Sequence, residues 1–359
     1  MFALPLLSRL FASWPAIVVA FLLTFATAFA RPNVLIIQTD EHTFRTLGCY
    51  RDLLPEDQAF VWGPGIKVET PHIDWLAQNG ALADRAYATS PVCTPSRAAM
   101  MTGLYPQNTG AIRNDRPMRD EMVTFAEVLS QAGYATGYAG KWHLDGDGKP
   151  QWAPERQFGW DDNRYMFNRG HWKILAEDAN GPRVASLDAN GQPSYDPGKP
   201  DEKSFTTDFL TDRAIKFIRE NSGDPFCYMI AIPDPHGPHN VRAPYDTMYD
   251  HFDFQQPASA RATGHLLPDY ANKDSVRFRP EWMSIYFGMV KCIDDNVGRL
   301  LDTLRDEGIL ENTVIVFTSD HGDMCGEHGR YNKGRPMETS ARIPFIVHAP
   351  GTVPAGTVM

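Results

Sequence analysis

The stretch Thr313–Gly322, TVIVFTSDHG, sets a run of Thr, Val, Ile and Phe against an abrupt Ser-Asp-His-Gly. A short apolar, β-branched run bounded by turn residues reads as a buried strand. The same signature recurs in NVLIIQT from Asn33, YATGYAG from Tyr134, FCYMIAI from Phe226 and PFIVHA from Pro344. Segments with helical punctuation lie between these runs. In TPHIDWLAQNG, Thr70 is a cap, Pro71 a first helical residue and Gly80 a stop; Thr124 to Gly133 repeats that grammar. In SPVCTPSRAAMMTG (90–103), Thr94 is expected to cap, Pro95 to open and Gly103 to close a helix with Cys93 at its positive end. The longest helix is expected near Glu281 to Glu307. There Trp282, Ile285, Tyr286, Met289, Ile293, Val297, Leu300, Leu301 and Leu304 form one apolar stripe, read as core. Strands alternating with helices predict an α/β fold, a mostly parallel central sheet with helices on both faces. Two stretches, Leu144 to Lys203 and Val241 to Pro280, are rich in Pro, Gly, Asp and aromatics and read as functional loops or surface insertions.

Composition narrows the function. The 359 residues are 43% hydrophobic and carry a net charge of −10, which argues against nucleic-acid binding. An anionic substrate must then be held by a local cluster of cations or by a metal. The five cysteines (Cys49, Cys93, Cys227, Cys292, Cys325) show neither disulfide nor metal spacing. In the first 30 residues a single charge, Arg9, precedes an apolar run, Leu10 to Ala30, that ends in TAFA. That pattern predicts a signal peptide cut before Arg31, with residues 31–359 as one exported domain, periplasmic or secreted. The alternative is a retained membrane anchor; after cleavage no stable membrane insertion is expected.

Ligands of open α/β sheets gather beyond the carboxyl ends of the strands. Here those positions hold Asp40 and Glu41, Lys141 and His143, Asp234, His236 and His239, and Asp320 and His321; Lys333 follows a Gly-rich loop. Singly, each has an ordinary reading as a turn or solvated residue. Together they form one chemical set. Carboxylates from two strand ends suit a hard cation such as Ca²⁺. Lysines beside them suit the oxygens of a tetrahedral anion, and histidines offer proton transfer.

With these residues in view, CTPSR within SPVCTPSRAAMMTGLYP, GYATGYAGKWHL, PHGPH and TSDHGDMCGEHG together resemble the type I sulfatases of the alkaline-phosphatase-like superfamily. The resemblance runs from about Asn33 to Gly351. It implies that a maturation enzyme oxidises Cys93 to formylglycine, whose aldehyde hydrates to a geminal diol. One diol oxygen, on Ca²⁺, attacks sulfur in line, and loss of a proton from the other ejects sulfate. It implies Asp40, Glu41, Asp320 and His321 as metal ligands with the modified Cys93, and Arg97 as the group that steadies the formylglycine. Lys141 and Lys333 would grip sulfate oxygens, His143 would take the diol proton and His236 would sit near the leaving-group oxygen.

Some positions depart from the family pattern. Glu41 stands where a second Asp is common, and His321 where Asn is frequent. His239 is open between touching substrate and packing. The family usually continues into a smaller C-terminal subdomain, whereas this chain stops at HAPGTVPAGTVM, so a truncated catalytic domain is expected.

The implied function is hydrolysis of a sulfated small molecule or glycan, with an exported sulfated carbohydrate favoured. A phosphonate monoester or phosphodiester hydrolase and a non-catalytic sulfated-glycan binder are the alternatives. Trp152, Trp160, Tyr165, Phe167, Trp172 and Arg164 would stack on sugar rings or simply pack the loop.

Overall fold

Eight strands form the main sheet in the computed structural model, which describes residues 31–195, 198–261 and 277–359. In chain order they are β1 (Asn33–Asp40), β2 (Ala81–Leu82), β3 (Ala135–Lys141), β4 (Asp162–Phe167), β5 (Phe226–Pro235), β6 (Thr313–Ser319), β7 (Phe345–His348) and β8 (Thr357–Val358). Their order across the sheet is β8-β2-β7-β6-β1-β5-β3-β4. The expected leader and its cleavage before Arg31 concern residues 1–30, outside the described residues, as are 262–276 of the second long loop.

Five adjacent strands, β6, β1, β5, β3 and β4, are mutually parallel. Their register sets Thr39 beside Ser319 and Ile232, and Gly140 beside Ala231. The carboxyl ends of β1, β3, β5 and β6 therefore share one edge. Gly140, at φ 103°, is what lets β3 close on β5: a Cβ there would lie 2.0 Å from the Ala231 carbonyl oxygen.

Alternation along each strand sends neighbours to opposite faces, and both faces are covered. Leu35, Ile37, Tyr228, Ile230, Ile315 and Phe317 join one core with helices α1 (Pro71–Gln78), α4 (Thr206–Glu220) and α5 (Pro280–Asp306). Ile36, Cys227, Met229 and Ala231 join another with α2 (Cys93–Thr102) and α3 (Phe125–Gln131). The expected stripe on α5 is core, with Tyr286, Met289, Ile293, Val297, Leu300, Leu301 and Leu304 fully buried. Thr124 caps α3 as expected, accepting from Glu127 N at 3.2 Å.

Three expectations need correction. β7 runs antiparallel to β6, pairing Phe345 with Thr318, because residues 320–344 remain at the carboxyl edge and re-enter the sheet from there. α2 begins two residues earlier than its Thr-Pro suggests. Val92 is the N-cap and Cys93 and Thr94 stand in the first turn, where the free Thr94 N–H donates to Asn114 Oδ1; Gly103 closes the helix at φ 69°. The first long loop contains β4 and a ribbon, Leu175–Asp178 with Gly181–Val184. Of the two readings open for its aromatics, packing is the one observed: Trp160, Phe167 and Trp172 are buried, and Trp152 lies edge-on to Phe167.

Candidate active site

The parallel register delivers Asp40, Lys141 and Asp320 to one edge, and α2 brings Cys93 and Arg97 against them. Arg97 is fully buried and ties three strand ends together. Its Nε donates to Asp320 Oδ2 at 2.9 Å, one terminal nitrogen to Asp40 Oδ2 at 3.1 Å and the other to the Lys141 carbonyl at 2.6 Å. Such a guanidinium neutralises two carboxylates that could not otherwise be buried side by side. Lys141 Nζ donates to Asp40 Oδ2 at 2.5 Å.

Cys93 Sγ lies 3.2 Å from His321 Nε2. Asp40, Cys93, Asp320 and His321 each place one ligand atom within 4.8 Å of the others, and all four residues are buried. Two carboxylate oxygens here, Asp40 Oδ1 and Glu41 Oε1, are buried with no hydrogen-bond donor. A buried, unspent anionic oxygen is costly unless a cation meets it, so this donor set fits a divalent ion. Glu41 stands apart from the four. Its Oε2 accepts from Lys333 Nζ at 3.0 Å and lies 2.8 Å from His236 Nε2, and its backbone is left-handed at φ 62°.

The electrostatics follow from these pairings. Burial by itself would raise the Cys93 thiol, yet the charges of Lys141, Lys333 and His321 hold it well below its ordinary value. Burial likewise opposes ionisation of Asp40, and Lys141, His171 and Arg97 overcome it. Asp320 is raised, by burial and then by Asp40. His321 is lifted to about 9, against burial, by Asp320 and Cys93. The edge therefore combines cations with carboxylates and a thiol whose ionisation they favour.

Of the remaining expected residues, His236 and Lys333 meet at 2.6 Å. His143 reaches the same edge but pairs with Asp115, Nε2 to Oδ1 at 2.9 Å, while its Nδ1 is buried without a partner. His239 stacks on Trp282 with ring centroids 4.6 Å apart, and burial lowers it to about 4. Asp234 is held away from the cluster by Lys173 and the Thr207 hydroxyl. Sequence reasoning missed His171, whose Nε2 accepts from Lys141 Nζ at 2.7 Å, and Asp115. His171 follows β4, so recognising that strand would have brought its histidine into the same strand-end reasoning.

Residues 32–358 match the Sulfatase family model. An ulvan-active sulfatase of Formosa agariphila is 33% identical over 89% of this chain and 57% of its own length. Among solved structures, one in complex with its substrate D-glucosamine-2-N,6-O-disulfate has a TM-score of 0.66 at 25% identity, over 91% of this chain and 73% of that one. The phosphonate monoester hydrolase of Agrobacterium radiobacter has a TM-score of 0.67 at 25% identity, over 92% and 70%. The chain spans 57% to 64% of the length of three curated relatives that it matches. With a family match across nearly all of the described residues and this set of side chains at one sheet edge, the chain belongs to the sulfatase family.

Proposed function

We propose that the chain hydrolyses sulfate esters of an exported or environmental carbohydrate, with Cys93, matured to formylglycine, as the position that attacks sulfur. The observation that carries this reading is the meeting of Cys93, Asp40, Asp320 and His321 within 4.8 Å, beside Lys141 and its partner His171. Asp40, Asp320 and His321 would hold Ca²⁺, with the free oxygen of Glu41 as a further donor. When bound, the ion would lower the pKa of the attacking hydroxyl and offset charge on the sulfate.

The other roles follow from the side chains. Lys141 and Lys333 offer N–H donors to sulfate oxygens, and Arg97 anchors the carboxylates beneath them. Asp115 takes the Nε2 proton side of His143, which leaves the Nδ1 lone pair as a base for the proton of the attacking group. Gly237 O accepts from His236 Nδ1 at 2.7 Å, so Nε2 is the nitrogen available to protonate a departing alkoxide. His239, stacked on Trp282, would line the approach beside His236.

A sugar substrate is supported by the relative active on ulvan and the neighbour bound to a disulfated glucosamine. The likeness to a phosphonate monoester hydrolase supports a second reading, since the same cations would serve a phosphoryl centre. Export rests on the leader reading; among the described residues no helix is long and apolar enough to cross a membrane. Residues 31–359 are proposed as the catalytic domain. The test is a turnover screen of protein matured in a host with the modifying enzyme, using sulfated mono- and oligosaccharides, aryl sulfates and phosphonate monoesters. Release of sulfate from sugars supports the reading. Turnover of phosphonates alone replaces it with the second, and binding without turnover of any ester leaves a glycan binder.

A further inference from the structure

The loop 110–118, GAIRNDRPM, takes no part in the roles above except through Asp115. It is fastened to the site at two consecutive residues. Asn114 Oδ1 accepts from the backbone N–H of Thr94, next to Cys93, at 3.1 Å. Asp115, left-handed at φ 66°, bridges His143 at 2.9 Å and Arg169 at 2.9 Å. The loop is closed further on, where Met118 N donates to the Leu144 carbonyl at 3.0 Å. On either side of the two fastened residues stand Arg113 and Arg116, both exposed and drawn together by a turn, Arg116 N to Arg113 O at 3.3 Å.

Neither guanidinium has an ion-pair partner among the described residues, although the chain carries a net charge of −10. The neighbouring arginines differ: Arg119 meets Glu121 at 3.8 Å and Arg169 meets Asp115. Two guanidinium groups without an ion-pair partner, carried on a turn whose backbone is fastened beside the Cys93 helix, have the chemistry to receive a carboxylate or sulfate. We infer that Arg113 and Arg116 select substrates bearing a second anionic group, a uronate carboxylate or another sulfate, on the sugar next to the ester being cleaved. This rests on the sulfate-ester reading above and names its substrate class: an acidic oligosaccharide.

The experiment compares matured wild type with Arg113→Ala/Arg116→Ala on three substrates. These are a sulfated disaccharide with a uronate, the same disaccharide with a neutral sugar in its place, and 4-methylumbelliferyl sulfate. The expected result is a KM for the acidic disaccharide raised about tenfold, as for lost charge-assisted pairing, with kcat held within about twofold. The two neutral-aglycone substrates should change less than about twofold on the same basis. Arg113→Lys/Arg116→Lys keeps the charge but not the fork and should fall between the two. An equal loss on all three substrates, or a wild type that does not prefer the acidic disaccharide, overturns the inference while leaving the sulfatase reading intact. If wild type releases sulfate from none of them, that reading fails. Calorimetric binding of the acidic and neutral disaccharides to Cys93→Ala protein, with and without the two arginines, then decides this inference independently.

Discussion

His171 and His236 lie face to face, ring centroids 3.4 Å apart and planes within 7° of parallel, and each directs its Nε2 at a different lysine. Lys141 in turn meets Asp40, and Lys333 meets Glu41. Two imidazoles this close cannot both carry charge without strong repulsion. Burial, then the charges of His236 and Lys141, hold His171 well below its ordinary value, so His171 is a neutral ring. It accepts from Lys141 and forms the wall against which His236 is oriented. In the proposed function the leaving-group proton falls to His236 Nε2, which lies 2.8 Å from Glu41 Oε2 and 2.6 Å from Lys333 Nζ.

Replacing His236 by Ala is accordingly expected to lower kcat on sugar sulfates by on the order of 10²-fold, as for loss of a general acid. The deficit should shrink on aryl sulfates, whose leaving groups need little protonation. His171→Ala should lower both substrate types alike, since it loosens a wall and not a proton donor. Steady-state kinetics on a leaving-group series decides this. An equal loss on both types for His236→Ala would make it a sulfate-binding residue.

Metal dependence should be visible without any assay of turnover. Saturating Ca²⁺ at about 100 times Kd would stabilise the fold by about 2.7 kcal/mol. Chelation should therefore lower the melting temperature, and calcium should restore it. Asp320→Asn should abolish that response, because it removes a charge next to the unspent oxygen of Asp40. A melting temperature indifferent to chelator and calcium in wild type would contradict the metal reading.

Cys93 should carry an aldehyde in protein from a maturation-competent host. Mass spectrometry of the peptide spanning Ser90–Gly103 reads this directly, and active protein with a fully alkylatable thiol at Cys93 would refute it. Lys141→Ala should weaken binding as well as rate, since its ammonium, paired with the carboxylate of Asp40, is the proposed donor to sulfate oxygens.

Away from the site, Asp294 on α5 caps α1 across the core, accepting from His72 N at 3.0 Å and Ile73 N at 2.9 Å. Burial pushes its carboxyl up to about 6. The unfolded value is near 3.9, so between these values the folded state binds the extra proton. Stability from this group should thus rise as pH falls from above 6 towards 4. Asp294→Asn keeps the acceptor without the charge, so its urea stability should change less between pH 7.5 and pH 5 than that of wild type. Asp294→Ala should cost about 1–3 kcal/mol at either pH, leaving two N–H groups without their acceptor. Identical pH slopes for wild type and the Asn variant would refute the titration.

Local pattern was enough for β1, β3, β5, β6 and the stripe of α5, because burial on a strand or helix imposes a period on the residues that enter it. It was also enough to place Asp40, Lys141 and Asp320 at strand ends, and parallel pairing then gathers them at one edge. Turn grammar was nearly enough for the Cys93 helix, missing its start by two residues: Val92 is the N-cap, and Asn114, distant in sequence, takes the Thr94 N–H inside the first turn. Tertiary structure alone decided that β7 reverses, since its direction depends on where residues 320–344 dock and not on the apolar run itself. It alone turned Trp160, Phe167 and Trp172 inward, drew Glu41 towards Lys333, and brought His171 against Lys141 and Asp115 against His143. Those partners stand from 28 to 292 residues apart in the chain. No local period encodes such a pairing; it exists only once the sheet register has set which side chains meet.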